Sequence, residues 1–190
     1  MSYAKLDNEE ILKVALSAIN QDNHVEAISL LKTLIERDDK HAFANYLLAA
    51  EHAQIGMLDR AEIGFSKVVS LAPDFKIARF QLGQLYMLKG DAELVRKTLM
   101  PLVSNVGSNL ELSHFAKGLI AIVDENITNA ITELKAGLDC EQENPTLAGD
   151  MARILENLSN IVSSDLSSST SVITPQPSSN IYLSGYSKTK

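Results

Sequence analysis

Apolar residues recur along this chain with the spacing of amphipathic helices, and the whole pattern repeats. Ile28, Leu31 and Ile35 follow one another at intervals of three and four residues, which places them on one side of a helix. Small apolar residues return at intervals of 34, 34 and 35 positions, at Ala27, Ala61, Val95 and Ala130. A unit of this length cannot bury its apolar face alone, so neighbouring copies must stack. The pattern predicts an all-α protein built from repeated helix pairs.

The predicted helix ends carry turn and capping residues at the same intervals. Gly56 and Gly90 stand where a helix should end, because glycine adopts the left-handed conformation at little cost. Asn23 and Asp91 precede the next apolar segments and can cap the helices that these segments form. Short turns are therefore expected between the helices.

The residues at fixed places in each copy resemble the consensus of the tetratricopeptide repeat (TPR). In the second and third copies the matching residues are Ala49, Ala61, Phe65, Pro73, Leu82, Gly83 and Tyr86. The departures are Arg79 in place of the usual Trp, His52 in place of Tyr, and Lys117 in place of Leu. The resemblance implies a right-handed α-solenoid of paired antiparallel helices. Its repeats span 8–41, 42–75, 76–109 and 111–144, with Leu110 as a single-residue insertion.

The two ends of the chain differ from the repeats. Residues 1–7 form a short lead-in, and Asp7 or Asn8 together with Glu10 starts the first helix. Asn144 followed by Pro145 indicates a new helix start, and the amphipathic segment 145–162 is predicted to cap the last repeat. Residues 163–190 are rich in serine, and we expect this tail to be disordered.

One proline interrupts the repeat pattern. Pro101 falls inside the predicted second helix of the third repeat, where a proline removes a hydrogen bond and costs about 3 kcal/mol in a helix interior. We therefore expect the helix to kink there or to end around Met100. A loop over residues 104–109 should follow, longer than the other turns.

The resemblance also indicates where a partner binds. In TPR proteins the concave surface is lined mainly by the first helix of each repeat. The corresponding residues of this chain are Leu12, Leu16, Ile19, Phe43, Tyr46, Ile77, Phe80, Gln84, Met87, Leu112, Phe115, Leu119 and Ile122. Because most of these side chains are apolar, we predict a groove that binds a protein or peptide with apolar anchors.

Several kinds of partner remain open. The resemblance favours a scaffold or adaptor, acting as an assembly factor in a bacterial multiprotein machine. The apolar groove also resembles that of the class II chaperones of type III secretion, which hold a hydrophobic client. In a third interpretation the groove is covered by a second copy in a homodimer or by the chain itself, for example by the tail motif Ile181, Tyr182 and Leu183. An error in the repeat register would instead place some groove residues in the core.

Composition restricts the expected partners and the expected cellular location. The formal net charge is −7 and no stripe of Lys and Arg is present, which argues against nucleic acid as the main partner. Cys140 is the single cysteine and cannot form an internal disulfide, which favours a reducing compartment. Neither a signal-peptide pattern nor an apolar run long enough to span a bilayer is apparent, so we expect a cytoplasmic protein without membrane insertion.

The sequence contains no recognisable catalytic or metal-binding motif. The four histidines, His24, His41, His52 and His114, lack the spacing of metal ligands, and His52 occupies a position at which the repeat buries a side chain. A phosphate-binding glycine loop and a nucleophile elbow are both missing. We therefore predict a non-enzymatic protein without a cofactor or metal.

Overall fold

The computed structural model describes residues 6–104 and 110–167, with side chains described as far as Ser163. Within these residues the chain forms nine α-helices and no strand, which confirms the predicted all-α fold class. The helices are α1 (Asn8–Asn20), α2 (His24–Arg37), α3 (Ala42–Gln54), α4 (Leu58–Leu71), α5 (Lys76–Leu88), α6 (Ala92–Val103), α7 (Leu110–Val123), α8 (Ile127–Leu138) and α9 (Pro145–Ser167).

The helix starts follow the spacing of the sequence pattern. Helices α1, α3, α5 and α7 begin at intervals of 34 residues, whereas α2, α4, α6 and α8 begin at intervals of 34, 34 and 35. The additional residue therefore belongs to the pair α7–α8. Leu110, predicted to be an insertion before this pair, is the first residue of α7.

Side-chain caps begin several of the helices. Asp7 accepts a hydrogen bond from the backbone N–H of Glu10, and the Glu10 carboxylate accepts one from the backbone N–H of Asp7. This reciprocal pair of hydrogen bonds satisfies two backbone N–H donors at the start of α1. Five other caps accept from the N–H three residues ahead, namely Asn23, His41, Asp91, Asn126 and Asn144.

The turns between paired helices adopt the left-handed conformation that the glycines predicted. Gly56 has φ of 77° and Gly90 has φ of 75°. The equivalent positions of the first and last turns hold Asp22 and Glu125, with φ of 56° and 58°. The turn geometry is thus retained where the chain does not use glycine.

The described helices fall into two compact units, divided between Leu82 and Gly83. In the first unit, α1 packs on α2, α2 on α3, and α3 on α4. A cluster of fully buried residues forms its core, comprising Ile11, Ala15, Leu30, Leu31, Leu34 and Ala44. The small apolar residues that recur at intervals of 34, 34 and 35 positions are fully buried in both units, at Ala27, Ala61, Val95 and Ala130.

In the second unit, α6 packs on α7, α7 on α8, and α8 on α9. Close approach of α7 and α8 depends on glycine, because a Cβ atom at Gly118 would lie 2.9 Å from Cγ and Cδ2 of Leu134. A Cβ atom at Gly137 would lie 2.5 Å from the ring of Phe115. Helix α9 buries Leu147, Met151, Ile154 and Leu158, which lie on its predicted apolar side.

Two predicted helix ends require correction. Of the two outcomes expected at Pro101, an end around Met100 was wrong, because α6 continues through Pro101 to Val103. Pro101 lies in the last turn, where the loss of one N–H donor disrupts little of the helix. Helix α9 runs to Ser167 and not to Val162, and the Ser163 hydroxyl donates to the Ser159 carbonyl at 2.8 Å along its surface.

Candidate partner-binding site

Four aromatic side chains gather in the first unit and form what we call the aromatic cluster. Phe43 and Tyr46 belong to α3, Phe65 to α4, and Phe75 directly precedes α5. The ring centroid of Tyr46 lies 4.9 Å from that of Phe75 and 6.1 Å from those of Phe43 and Phe65. These separations are typical of stabilising aromatic pairs. The rings of Phe43 and Tyr46 are stacked, with 18° between their planes.

The members of the aromatic cluster differ in exposure. Phe65 is fully buried, Tyr46 and Phe75 are partly buried, and Phe43 remains 39% exposed. The cluster therefore presents the ring of Phe43 to the surface on a support of packed rings. Such a side chain is held in place before a partner arrives, which limits the conformational entropy lost on binding.

The Tyr46 phenol lies in a poorly solvated environment. Burial raises its pKa above the ordinary value, and a hydrogen bond with the Gln81 side chain acts in the opposite direction. The phenol is therefore neutral at physiological pH. The Oε1 atom of Gln81 is buried and has no hydrogen-bond partner in the described part of the chain.

Several other predicted groove residues of α1 and α5 are only partly accessible. Leu12 and Ile19 are half-buried and pack against the core cluster of the first unit. Leu16 and Ile77 are also half-buried. Together these residues expose only a small apolar surface beside the core of the first unit.

Five of the predicted groove residues are not accessible at all. The buried side chains are Phe80, Gln84, Leu112, Phe115 and Leu119, each at most 5% exposed. For Phe115 the cause is visible, because its ring occupies the space that Gly137 leaves by lacking a side chain. The prediction that these five line an open groove was wrong, and they contribute to packing instead. In the second unit Met87 and Ile122 remain half-buried.

The tail motif Ile181, Tyr182 and Leu183 lies outside the described residues. Its proposed docking to the groove therefore stays a prediction.

Two histidines join neighbouring helices through carboxylates. His24 Nδ1 lies 2.8 Å from Glu51 Oε2, and His114 Nδ1 lies 2.7 Å from Glu133 Oε2. These pairs link α2 to α3 and α7 to α8. Within residues 6–104 and 110–167, no group of three or more His, Cys, Asp and Glu side chains is arranged to hold a metal.

His52 is packed in the core, as its place in the repeat predicted. Its side chain is buried, and its Nε2 atom has no hydrogen-bond partner among the described residues. Burial lowers the pKa of the imidazole, and the nearby charges of Arg60 and Lys32 lower it further.

Sequence reasoning overlooked two residues of this region. Phe75 was treated only as the end of a repeat, although its ring lies closest to Tyr46. Gln81 was not among the predicted groove residues, although its side chain bonds to the Tyr46 phenol. The aromatic character of Phe75 beside Pro73 was the available signal. No helix of the described chain has the length and apolarity needed to cross a bilayer.

Known protein structures resemble this one, although no protein-family model and no curated protein sequence matches the chain. A MamA double mutant (RS-1 ArsTM) has 17% identical residues and a TM-score of 0.59, over 83% of this chain and 97% of that one. MamA from Desulfovibrio magneticus RS-1, from residue 41 to its end, has 18% identity and a TM-score of 0.62, over 83% and 86%.

The TPR domain of P58(IPK) has 19% identity and a TM-score of 0.50, over 83% of this chain and 46% of that one. Identities this low establish the fold alone. The chain thus has the fold of tetratricopeptide-repeat proteins, as the resemblance of its sequence predicted.

Proposed function

We propose that this protein is a non-enzymatic interaction scaffold that binds an apolar segment of a partner protein at the aromatic cluster. The observation that carries the proposal is the ring of Phe43, which is 39% exposed yet stacked on Tyr46. Large apolar side chains at a surface mark interaction sites, and aromatic residues dominate the energy of many interfaces. The TPR fold, common among interaction modules, supports the same general role.

The expected affinity is modest. Full burial of one large apolar side chain contributes about 1.5–3 kcal/mol, and the half-buried residues around Phe43 contribute less because they are already partly desolvated. Ordering and association costs reduce the sum further. This balance favours a reversible adaptor over a permanent subunit.

The finer parts of the proposal follow from the resemblance of the sequence. They are an assembly role in a bacterial multiprotein machine and a cytoplasmic location, the latter supported by the single free cysteine, Cys140. A chaperone for a hydrophobic client and a homo-oligomer are the alternatives. They differ from the adaptor in what covers Phe43: an unfolded client, or a second copy of the chain.

Site-specific crosslinking tests the proposal. The photoreactive residue p-benzoyl-phenylalanine replaces Phe43 in one variant and Ile63 in a control, since Ile63 is 71% exposed and is not part of the aromatic cluster. We expect irradiation in cells of the source organism to give a crosslinked partner from position 43 and not from position 63. Mass spectrometry of the crosslinked peptide identifies the partner and its apolar anchor.

The same experiment separates the alternatives. A crosslink to the chain itself indicates a homo-oligomer, many unrelated products indicate a chaperone, and equal products from both positions contradict the proposed site. A charged substitution of Phe80 is unsuitable as a test, because this side chain is fully buried and its replacement by Glu would unfold the protein.

A further inference from the structure

A cleft of about 180 Å³ opens in the second unit between α6, α7 and the start of α8. Its lining surface is mostly apolar, and consists of Met100, Val103, Ile120 and Ala121 together with Lys117, Asp124, Asn126 and Asn129. None of the predicted groove residues contributes to it. The cleft is therefore a surface that the sequence pattern did not assign.

Departures from the repeat pattern converge on this cleft. Lys117 takes the place of the usual Leu, and the equivalent residues of the other repeats are Val14, Leu48 and Leu82. Val14 and Leu48 pack against the core of the first unit, and Leu82 is only 5% exposed. Pro101 directly follows Met100, a lining residue that is 51% exposed. Lys117 thus lines the cleft at a position where the other repeats have an aliphatic side chain.

The charges around the cleft leave one cation without a counter-ion. Arg96 Nε lies 2.6 Å from Asp124 Oδ1, and the same guanidinium donates to the Val123 carbonyl at 3.3 Å. The carboxylate of Asp124 is therefore neutralised by its own chain. Within the described residues Lys117 forms no ion pair, so the ammonium group gives the cleft a net positive charge in a chain of net charge −7.

The size of the cleft restricts what it holds. Ligand pockets for whole cofactors or drug-sized molecules measure about 300–1,000 Å³. About 180 Å³ corresponds to roughly six water molecules, enough for one large aliphatic side chain. The adjacent amides of Asn126 and Asn129 can bond to a peptide main chain. The Asn126 oxygen already caps α8 by accepting from the Asn129 N–H at 3.1 Å, which leaves the Asn126 NH2 group to donate.

We propose that this cleft binds one aliphatic side chain of a partner peptide, and that an acidic residue next to that side chain pairs with Lys117. The methionine at the rim suits such a contact, because its flexible thioether adapts to side chains of different shape. The site shares no residue with the aromatic cluster, so an experiment that contradicts one of the two proposals leaves the other unaffected.

NMR titration of the full-length, 15N-labelled protein tests this site with short synthetic peptides. The probes are capped tetrapeptides, Ser-Leu-Asp-Ser, with Ser-Leu-Asn-Ser and Ser-Ala-Asp-Ser as matched controls. We expect the first to shift the backbone amides of Ile120, Asp124 and Asn126 with millimolar affinity. It should bind about two- to fivefold more tightly than the Asn control, the range of an exposed ion pair.

Two variants connect the binding to the cleft. Lys117→Gln should remove the preference for Asp over Asn while binding of the leucine side chain persists. Lys117→Leu has a similar side-chain volume and no charge, so it should also remove the preference for Asp over Asn. Both variants keep a half-buried position occupied by a long side chain, and both should fold.

Other outcomes overturn the proposal. Equal affinity for the Asp and Asn peptides, or shifts confined to residues outside the cleft, would exclude Lys117 as the recognition group. Shifts that change with protein concentration in the absence of peptide would identify a second copy as the occupant. Shifts of the same amides on removal of residues 168–190 would identify the chain's own tail.

Discussion

The junction of α2 with α3 and the junction of α6 with α7 occupy equivalent places in the repeat but are packed differently. At the first, Ile35 and Leu48 lie against the core cluster of the first unit. At the second, Lys117 stands in the position of Leu48, and a cleft of about 180 Å³ remains. One repeat architecture therefore accommodates both a filled core and an open cleft. The comparison shows that a local loss of apolar character changes a surface without changing the helix pairing.

The two units also divide small and large residues differently between paired helices. In the first unit Ala49 of α3 faces Gly64 of α4, where an added Cβ atom would lie 2.7 Å from the Ala49 Cβ. In the second unit α7 and α8 each contribute a glycine: Gly118 of α7 faces Leu134 of α8, and Gly137 of α8 faces Phe115 of α7. Each of these close contacts pairs a glycine with a larger residue. The helices approach because one partner is small, whichever helix supplies it.

The largest expected effect comes from placing a lysine in the first unit, at the position equivalent to Lys117. Leu48→Lys should lower the free energy of unfolding by about 2–3 kcal/mol, because it removes apolar packing and places an ammonium group against a core. Urea denaturation followed by circular dichroism measures the change. Leu48→Met, a swap of similar volume, is the control and should cost less than about 1.5 kcal/mol. Equal effects of the two variants would show that charge is tolerated at both junctions.

The glycine of the second unit should be nearly as sensitive. Gly118→Ala places a methyl group 2.9 Å from two atoms of Leu134, so we expect a loss of about 2 kcal/mol from overpacking. Gly149→Ala in α9 is the matched control, since no atom lies within 4 Å of the added Cβ. That change should stabilise the helix by about 0.5–1 kcal/mol. Stabilisation by both variants would mean that α7 and α8 are not in close contact.

Restoring the usual residue at the open junction should have a smaller effect of opposite sign. Lys117→Leu should raise the free energy of unfolding by about 1 kcal/mol, because an apolar side chain replaces a charged one at a half-buried position. Urea denaturation midpoints of the wild type and the variant give the difference. An unchanged or lower midpoint would show that position 117 is too exposed for apolar burial to stabilise the fold.

The smallest effect concerns pH and contrasts His52 of the first unit with Tyr86, the equivalent residue of the second. Because burial lowers the pKa of His52 in the folded protein, the unfolded chain binds more protons once the pH falls below about 6.5. The stability contributed by the neutral imidazole is present above that pH and is lost as the pH falls through the folded pKa.

His52→Tyr should remove this part of the acid sensitivity, and thermal unfolding between pH 7 and pH 5 measures it. The expected difference in the free energy of unfolding is small, because one unit of pKa difference between the folded and unfolded states corresponds to about 1.4 kcal/mol. Identical pH profiles for the wild type and His52→Tyr would contradict the conclusion that the lowered pKa of His52 contributes to the acid sensitivity.

The fold was largely predictable, and the candidate site only in part. Helix starts, caps and left-handed turns depend on neighbours within a few residues, so Asp7, Asn23 and Gly56 identified them. Surface assignment depends on what packs against each helix. Phe43 lies at the surface and Phe115 is fully buried, although the repeat gave both to the same concave surface.

The sequence by itself determined that this protein is all-α, where its helix pairs begin, and which small residues its helices bury. These properties follow from periodicity, because a repeated apolar pattern can be buried only by stacking its copies. The tertiary structure alone decided that Phe75 and Gln81 complete the surroundings of Tyr46, and that Lys117 lines a cleft beside α6. Such contacts join residues distant in sequence, and their geometry depends on the volumes of side chains from several helices at once.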